Sequence, residues 1–148
     1  MRAVIYEDFW GPDVLKLVER SIPKPNTGQV LLEVMATSVN PIDRRLRSGE
    51  LQPFFQRTFP IVSGWDVTGR IVEVAPGVSG WKVGDEVVGL GFSWHLQHGA
   101  YAEYMPIVTT AIALKPGSLS WYQAAALPLL ALHAELRSCA ERGRARGC

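Results

Sequence analysis

The sequence predicts a mainly β protein with a few short helices, arranged as a small β-barrel. Three observations in the stretch Phe59–Gly89 lead to that expectation. An alternating apolar run, Val67, Gly69, Ile71 and Val74, has the period of a half-buried strand. It leads into Ala75-Pro76-Gly77-Val78, where proline sets φ at the second turn position and glycine supplies φ > 0 at the third. A second turn at Gly84-Asp85 then delivers Glu86 to Leu90, whose β-branched valines suit a pleated, half-buried surface. Two strands, two tight turns and dense glycine together imply a small barrel.

Bulk properties narrow the classes. A chain of 148 residues suits a single domain with its own core. Its 47% hydrophobic and 20% charged content is that of an ordinary globular protein, and a formal net charge of +1 gives no reason to expect nucleic acid or an anionic membrane. The opening Met1 to Asp8 carries acidic residues where a secretory signal needs an apolar core, and no apolar run approaches the roughly 20 residues of a membrane helix. A cytoplasmic location is expected. Cys139 and Cys148, both in the last ten residues, cannot form a disulfide framework or a four-cysteine zinc lobe.

Taken in order, residues 2–7 and 15–20 are short β-like runs separated by Trp10-Gly11-Pro12-Asp13, which predicts an opening hairpin. After the linker 23–28, the run Gln29–Val39 has the length and apolar content of a central strand. Asn40-Pro41-Ile42-Asp43 reads as a helix start, with asparagine at the cap, proline at the first position and an acid in the first turn. Arg44, Arg45 and Arg47 fall toward the negative end of that helix, and Gly49 is placed to end it. Leu51–Pro60 has two prolines and no period, so a loop with exposed or ligand-facing aromatics is expected, a candidate cleft wall.

Gly91–Gly99 is a second irregular stretch, and residues 100–108 and 109–114 return to strand composition. Ser120-Trp121-Tyr122-Gln123 matches a capping box, which starts a helix near Trp121. Pro128 interrupts it, and helix resumes from Leu129 toward Cys139. The boundaries expected are a barrel over 1–119, a connecting helix over 120–140 and a disordered Arg/Gly tail over 141–148.

The segments MRAVIYEDFWGPDVLKL, GQVLLEVMATSVNPIDRRLRSG, FPIVSGWDVTGRIVEVAPGVSGWKVGDEVVG, GAYAEY and AAALPLLALHA occur in an order and spacing that resemble the medium-chain dehydrogenase/reductases, in their zinc-free, quinone-oxidoreductase-like branch. The resemblance covers Met1 to about Ala134 and implies a GroES-like (chaperonin-10-like) N-terminal catalytic barrel. In a full-length member a dinucleotide-binding domain would follow. Nothing after Pro128 shows the G-x-G-x-x-G fingerprint of such a domain, so the Rossmann half is expected to be missing and the chain to be truncated relative to that family.

The resemblance also nominates site residues. Asn40 stands where zinc-dependent relatives place a ligating cysteine, and Gly64-Trp65-Asp66 stands where they carry Gly-His-Glu, so no zinc is expected. Asn40 reads either as a helix cap or as a polar amide facing the nicotinamide end of a cofactor cleft. Asp43 belongs to the same Asn-Pro-Ile-Asp motif and also complements the helix start. Trp65 reads either as core or as an indole that stacks on a planar quinone or enone, with Asp66 lining the same pocket. Arg45 is a candidate substrate or phosphate contact, against the alternative of a solvated helix-end arginine. His133 departs from the family pattern at a position of possible cofactor contact. His95 and His98 are expected as surface residues, and Tyr101 and Tyr104 as strand core.

The activity implied is NADPH-dependent reduction of a planar quinone, enone or related carbonyl substrate, with little activity or tight cofactor binding expected from this chain by itself. The alternative is a non-catalytic GroES-like module that binds a small molecule or protein. In either case the face that would meet the missing domain is expected to be bare and prone to self-association.

Overall fold

The computed structural model describes residues 1–145 along the backbone and residues 1–139 with their side chains. Ten strands and three α-helices occur in the order β1 (Arg2–Tyr6), β2 (Lys16–Glu19), β3 (Gln29–Ala36), α1 (Pro41–Arg47), β4 (Gln56–Arg57), β5 (Ile61–Val62), β6 (Asp66–Val74), β7 (Glu86–Leu90), β8 (His95–Leu96), β9 (Tyr104–Val108), β10 (Ile112–Leu114), α2 (Trp121–Ala125) and α3 (Pro128–Ala145). The main sheet has the order β10-β7-β6-β3-β9, and its pairings are antiparallel. A second sheet, β2-β1-β5, contains the expected opening hairpin, with Ala3 opposite Val18.

The two sheets close on one another through the segment before β9. Val4 N–H donates to the Tyr101 carbonyl (2.8 Å), Glu103 N–H to the Arg2 carbonyl (3.1 Å) and Val34 N–H to the Glu103 carbonyl (2.8 Å). One short stretch thereby bonds the parts of β1 and β3 that β5 and β9 leave unpaired, which makes a barrel of the two sheets. Inside it Val30, Leu32, Val67, Ile71, Val87 and Met105 form the main core, each at most 2% exposed. A second cluster, built on Tyr6, Leu46, Ile61, Trp65 and Leu96, fills the space under α1 and the loops around it.

The turn at Ala75–Val78 forms as expected, with Gly77 at φ +81° and Val78 N–H donating to the Ala75 carbonyl (3.3 Å). Both irregular stretches carry more order than their composition suggests: β4 lies in the first and β8 in the second, and the two pair in parallel, Gln56 with His95. Each is two residues long, too short to leave a periodic signal.

Beyond the barrel, Pro128 opens α3 instead of merely interrupting a helix, in keeping with its preference for the first helical turn. The helix continues to Ala145, so residues 141–145, expected as a disordered tail, are helical. Glutamate, arginine and alanine are good helix formers, and together they carry the helix past a glycine that costs about 1 kcal/mol. Residues 146–148 of that expected tail lie outside the described residues.

Close approach of β3 and β6 depends on Gly69, because a Cβ there would be driven into the Glu33 carbonyl oxygen beside the irregular register of β3. Gly69→Ala is expected to lower stability by about 1–3 kcal/mol in urea denaturation, as overpacking of backbone against backbone does.

Candidate active site around two buried carboxyl groups

Asp66, the first residue of β6, is fully buried. Strand alternation accounts for Val67 and Ile71 facing the barrel core, and it places Asp66 and Thr68 on the opposite face. That face is covered by α2 and α3. Thr68 Oγ1 donates to the Trp121 carbonyl (3.1 Å), and Asp66 Oδ1 accepts from the Leu129 N–H (2.9 Å) in the first turn of α3. Asp66 Oδ2 accepts from Ser38 Oγ (2.5 Å) and from Asn40 Nδ2 (2.8 Å), and its backbone carbonyl accepts from Thr37 Oγ1 (2.6 Å). No cation is among these partners; hydroxyl, amide and backbone donors satisfy the buried oxygens instead.

Asn40 therefore does two things. Its backbone caps α1, with Asp43 N–H donating to the Asn40 carbonyl (3.0 Å) and Asn40 N–H donating back to Asp43 Oδ2 (2.8 Å). Its side-chain nitrogen donates to Asp66 and also to Ser38 Oγ (3.0 Å), which fixes the plane of the carboxamide. Asp43, 5% exposed, is the second buried carboxyl group. Besides Asn40 N–H it accepts from Tyr101 OH at Oδ2 (3.1 Å) and from Gly64 N–H at Oδ1 (3.2 Å). Burial pushes Asp43 above the usual carboxylate range; its three hydrogen bonds oppose that shift, and the nearby Asp66 adds to it. Tyr101 is raised well above the ordinary phenol value, first by burial and then by Asp43, so it stands as a neutral donor.

The sequence reading placed Tyr101 in the strand core. Instead it precedes β9, and its ring packs over Gly64, where a Cβ would meet Tyr101 Cδ1 at 2.6 Å. Ser38 and Thr37 were not singled out at all, since a Thr-Ser pair after a strand carries no distinguishing pattern.

The remaining nominated residues lie apart from this network. Trp65 is 8% exposed and packs among Phe55, Phe92, Leu46 and Ile61, with ring centroids 5.9 Å from Phe55 and 5.1 Å from Phe92. The solvent-facing ring of that aromatic group is Trp94, 66% exposed and stacked on Phe55 at 5.6 Å. Arg45 sits at the exposed end of α1 and pairs with Glu50 (3.2 Å). His133 is exposed on α3. Among the described residues no group of three or more His, Cys, Asp or Glu is disposed to hold a metal ion.

Removing the Asp66 carboxyl leaves Ser38, Asn40 and Leu129 donors without their acceptor. Asp66→Ala is expected to lower stability by roughly 3 kcal/mol or more, and hydrogen exchange should accelerate at the Leu129 amide ahead of the β3 amides. Unchanged protection at Leu129 would show that the carboxyl does not anchor α3. For Asp43, a folded pKa above its ordinary value means that the folded state holds its proton more tightly than the unfolded chain. Its contribution to stability is therefore present below the ordinary carboxylate pKa and is lost as pH rises through the raised folded value. A carboxyl carbon NMR titration should place the Asp43 midpoint above 3.8, and Asp43→Asn should flatten the stability profile over that window.

Comparison with known proteins agrees with this construction. Residues 26–117 match the alcohol dehydrogenase GroES-like domain. A chloroplastic quinone-oxidoreductase homolog of Spinacia oleracea is 37% identical over 135 residues, 90% of this chain and 40% of the relative. The 2-methylene-furan-3-one reductase of Solanum lycopersicum is 39% identical over 87% of this chain and 34% of its own length. Among solved structures, the quinone oxidoreductase of Coxiella burnetii superposes with a TM-score of 0.76 at 35% identity, over 86% of this chain and 41% of that one. The quinone oxidoreductase of Escherichia coli complexed with NADPH gives a TM-score of 0.73 at 29% identity, over 84% of this chain and 36% of that one. The chain spans about 40% of the length of the relatives it matches. It belongs to the alcohol dehydrogenase GroES-like domain family, among the quinone-oxidoreductase-like medium-chain dehydrogenase/reductases.

Proposed function

We propose that this chain is the catalytic-domain portion of an NADPH-dependent oxidoreductase acting on a planar quinone, enone or related carbonyl compound, and that it has little activity by itself. The observation that carries the reading is the locked amide of Asn40. A buried carboxyl holds it rigidly at the mouth of α1, in the place where zinc-dependent relatives put a metal ligand. When bound, NADPH supplies the hydride. This chain's residues supply orientation: Asp66 fixes Asn40, and Asp43 with Tyr101 holds a proton in a hydrogen bond next to it. Those residues fit one side of the nicotinamide end.

They do not supply a pyrophosphate cradle. Each described helix start already engages an acceptor from the protein itself: the Asp43 carboxyl at α1, Ser120 at α2 and Asp66 at α3. Tight binding of NADPH is therefore assigned to a domain that would follow. Arg45 and His133 enter the proposal only as contacts made once such a domain is in place. Trp65 contributes by backing the stacked Phe55 and Trp94 rings, which offer an apolar aromatic surface to a planar substrate.

An apolar groove of about 740 Å³ runs between β7, β10, α2 and α3, lined by residues such as Leu90, Ile112, Leu127 and Leu132. It supports the reading that a further domain, or a second copy of the chain, covers this face. No helix among the described residues is long and apolar enough to cross a membrane. A cytoplasmic location belongs to this proposal, while the quinone-oxidoreductase homologs of Spinacia oleracea and Arabidopsis thaliana are named as chloroplast proteins.

The test joins this chain to the dinucleotide-binding half of the Escherichia coli quinone oxidoreductase. Quinone-dependent NADPH oxidation is expected from the fusion and a loss of about tenfold or more on Asn40→Ala, whereas the isolated chain shows no saturable NADPH binding. A folded but inactive fusion, or turnover by the isolated chain, would overturn the proposal.

A further inference from the structure

On the side of the barrel where β9 forms the edge of the main sheet, a recess of about 270 Å³ opens between that strand, the loop around β8 and the linker that precedes β3. Its polar lining is made of one lysine, two histidines and neutral hydrogen-bonding groups. Lys24 comes from the linker and His95 and His98 from the loop, with Asn26, Gln29 and Gln97 beside them. No aspartate or glutamate lines it. The β9 wall, Met105 to Val108, has no titratable group.

Several of these groups are held in place by bonds that leave their ligand-facing capacity intact. His95 is fixed by Thr58 Oγ1 at its Nε2 (2.8 Å) and by Ser93 Oγ at its backbone N–H (3.1 Å). Gln29 Oε1 accepts from the Asn26 N–H (2.8 Å), which turns the amide NH₂ of Gln29 into its free donor end. The Lys24 and His98 side chains make no hydrogen bond or ion pair with any described residue. Arg20, at the end of the β2 strand, places its charge on His98, and Arg20 Nη1 is buried with no hydrogen-bond partner.

A lysine and two imidazoles that meet no carboxylate form a setting an anion would complete, by accepting hydrogen bonds from all three and by favouring protonation of the histidine it touches. We propose that this recess is a binding site for the phosphoryl group of a small molecule, with Lys24 and His98 as its direct contacts and Arg20 as a supporting charge. A phosphoryl group suits the site better than a monoanion, because it offers up to two charges and several acceptor oxygens to donors arriving from the linker and the loop. The volume accommodates the phosphate together with a few attached carbons. In the free protein desolvation, then the charges of Arg20 and His95, hold His98 below the ordinary histidine range, so an anion in the recess would shift it upward.

The site is independent of the Asp43 and Asp66 network, with which its lining shares no residue. The test titrates inorganic phosphate into the intact chain, with sodium chloride at matched ionic strength as the control and sodium acetate as the monoanion arm, and follows histidine ring and backbone amide resonances. Saturable shifts at His98 and Lys24 with phosphate, together with an upward move of the His98 midpoint at saturation, are expected. Lys24→Ala and His98→Gln should each weaken phosphate binding by about tenfold while leaving the amide spectrum of the β3 and β6 strands unchanged. Both positions are solvent-exposed, so the variants fold. Shifts that follow ionic strength alike for chloride and phosphate, or that survive both substitutions, would overturn the site. Equal saturation by acetate would overturn the phosphoryl assignment.

Discussion

A single buried carboxyl group ties this molecule together. Asp66 takes three donors from two distant places in the chain: the Ser38 and Asn40 side chains after β3, and the Leu129 N–H at the start of α3. A polar group this deep is tolerable only when its oxygens are matched, and here every partner is neutral. The consequence is geometric. The end of β3, the start of α1 and the first turn of α3 must all arrive at one point for Asp66 to be satisfied, so the carboxyl sets where the helices stand on the barrel. It also sets which way the Asn40 amide faces.

The second carboxyl group has a different character. Asp43 accepts from two backbone N–H groups and from the Tyr101 hydroxyl, and burial raises its affinity for a proton. Because Tyr101 lies in the segment that also bridges β1 to β3, the closure of the barrel and the setting of this pair are a single structural event. A neutral phenol beside a carboxyl of raised pKa is a place where a proton is held. Beside it stands the Asn40 amide, held rigid by Ser38 and Asp66.

The apolar parts of the molecule divide between structure and exposure. The main core, Val30 to Met105, is sealed inside the barrel. The aromatic group of Phe55, Trp65, Phe92 and Trp94 is graded, with Trp65 buried at its base and Trp94 at its surface. The groove beneath α3 lies open along its length. A barrel that packs against another domain would show this arrangement: a finished interior, an aromatic wall and one uncovered apolar face. Roughly 60% of the length of the relatives has no counterpart in the described chain, on the same order as a second domain.

Local chemistry made much of this legible from sequence. The alternating run of β6, the Pro-Gly turn after it, the cap at Asn40 and the capping box at Ser120 all depend on residues within about one turn or one strand of each other, and each forms as its pattern predicts. The pairing of β4 with β8 and the helix through residues 141–145 were not legible, the first because two-residue strands have no period and the second because an alternation of arginine and glycine reads as solvated chain. Asn40, Asp43 and Asp66 were visible as candidates. Their connections were not: strand alternation alone would leave Asp66 on an outer face, and only the packing of α2 and α3 against that face buries it. By itself the sequence determined the strands, turns and helix starts, because those follow from neighbours along the chain. Which side chains meet, and so which aspartate orients the amide and which one holds a phenol, was decided by the tertiary structure, because hydrogen bonds across 26 to 63 residues of chain exist only after the barrel has closed and its helices have docked.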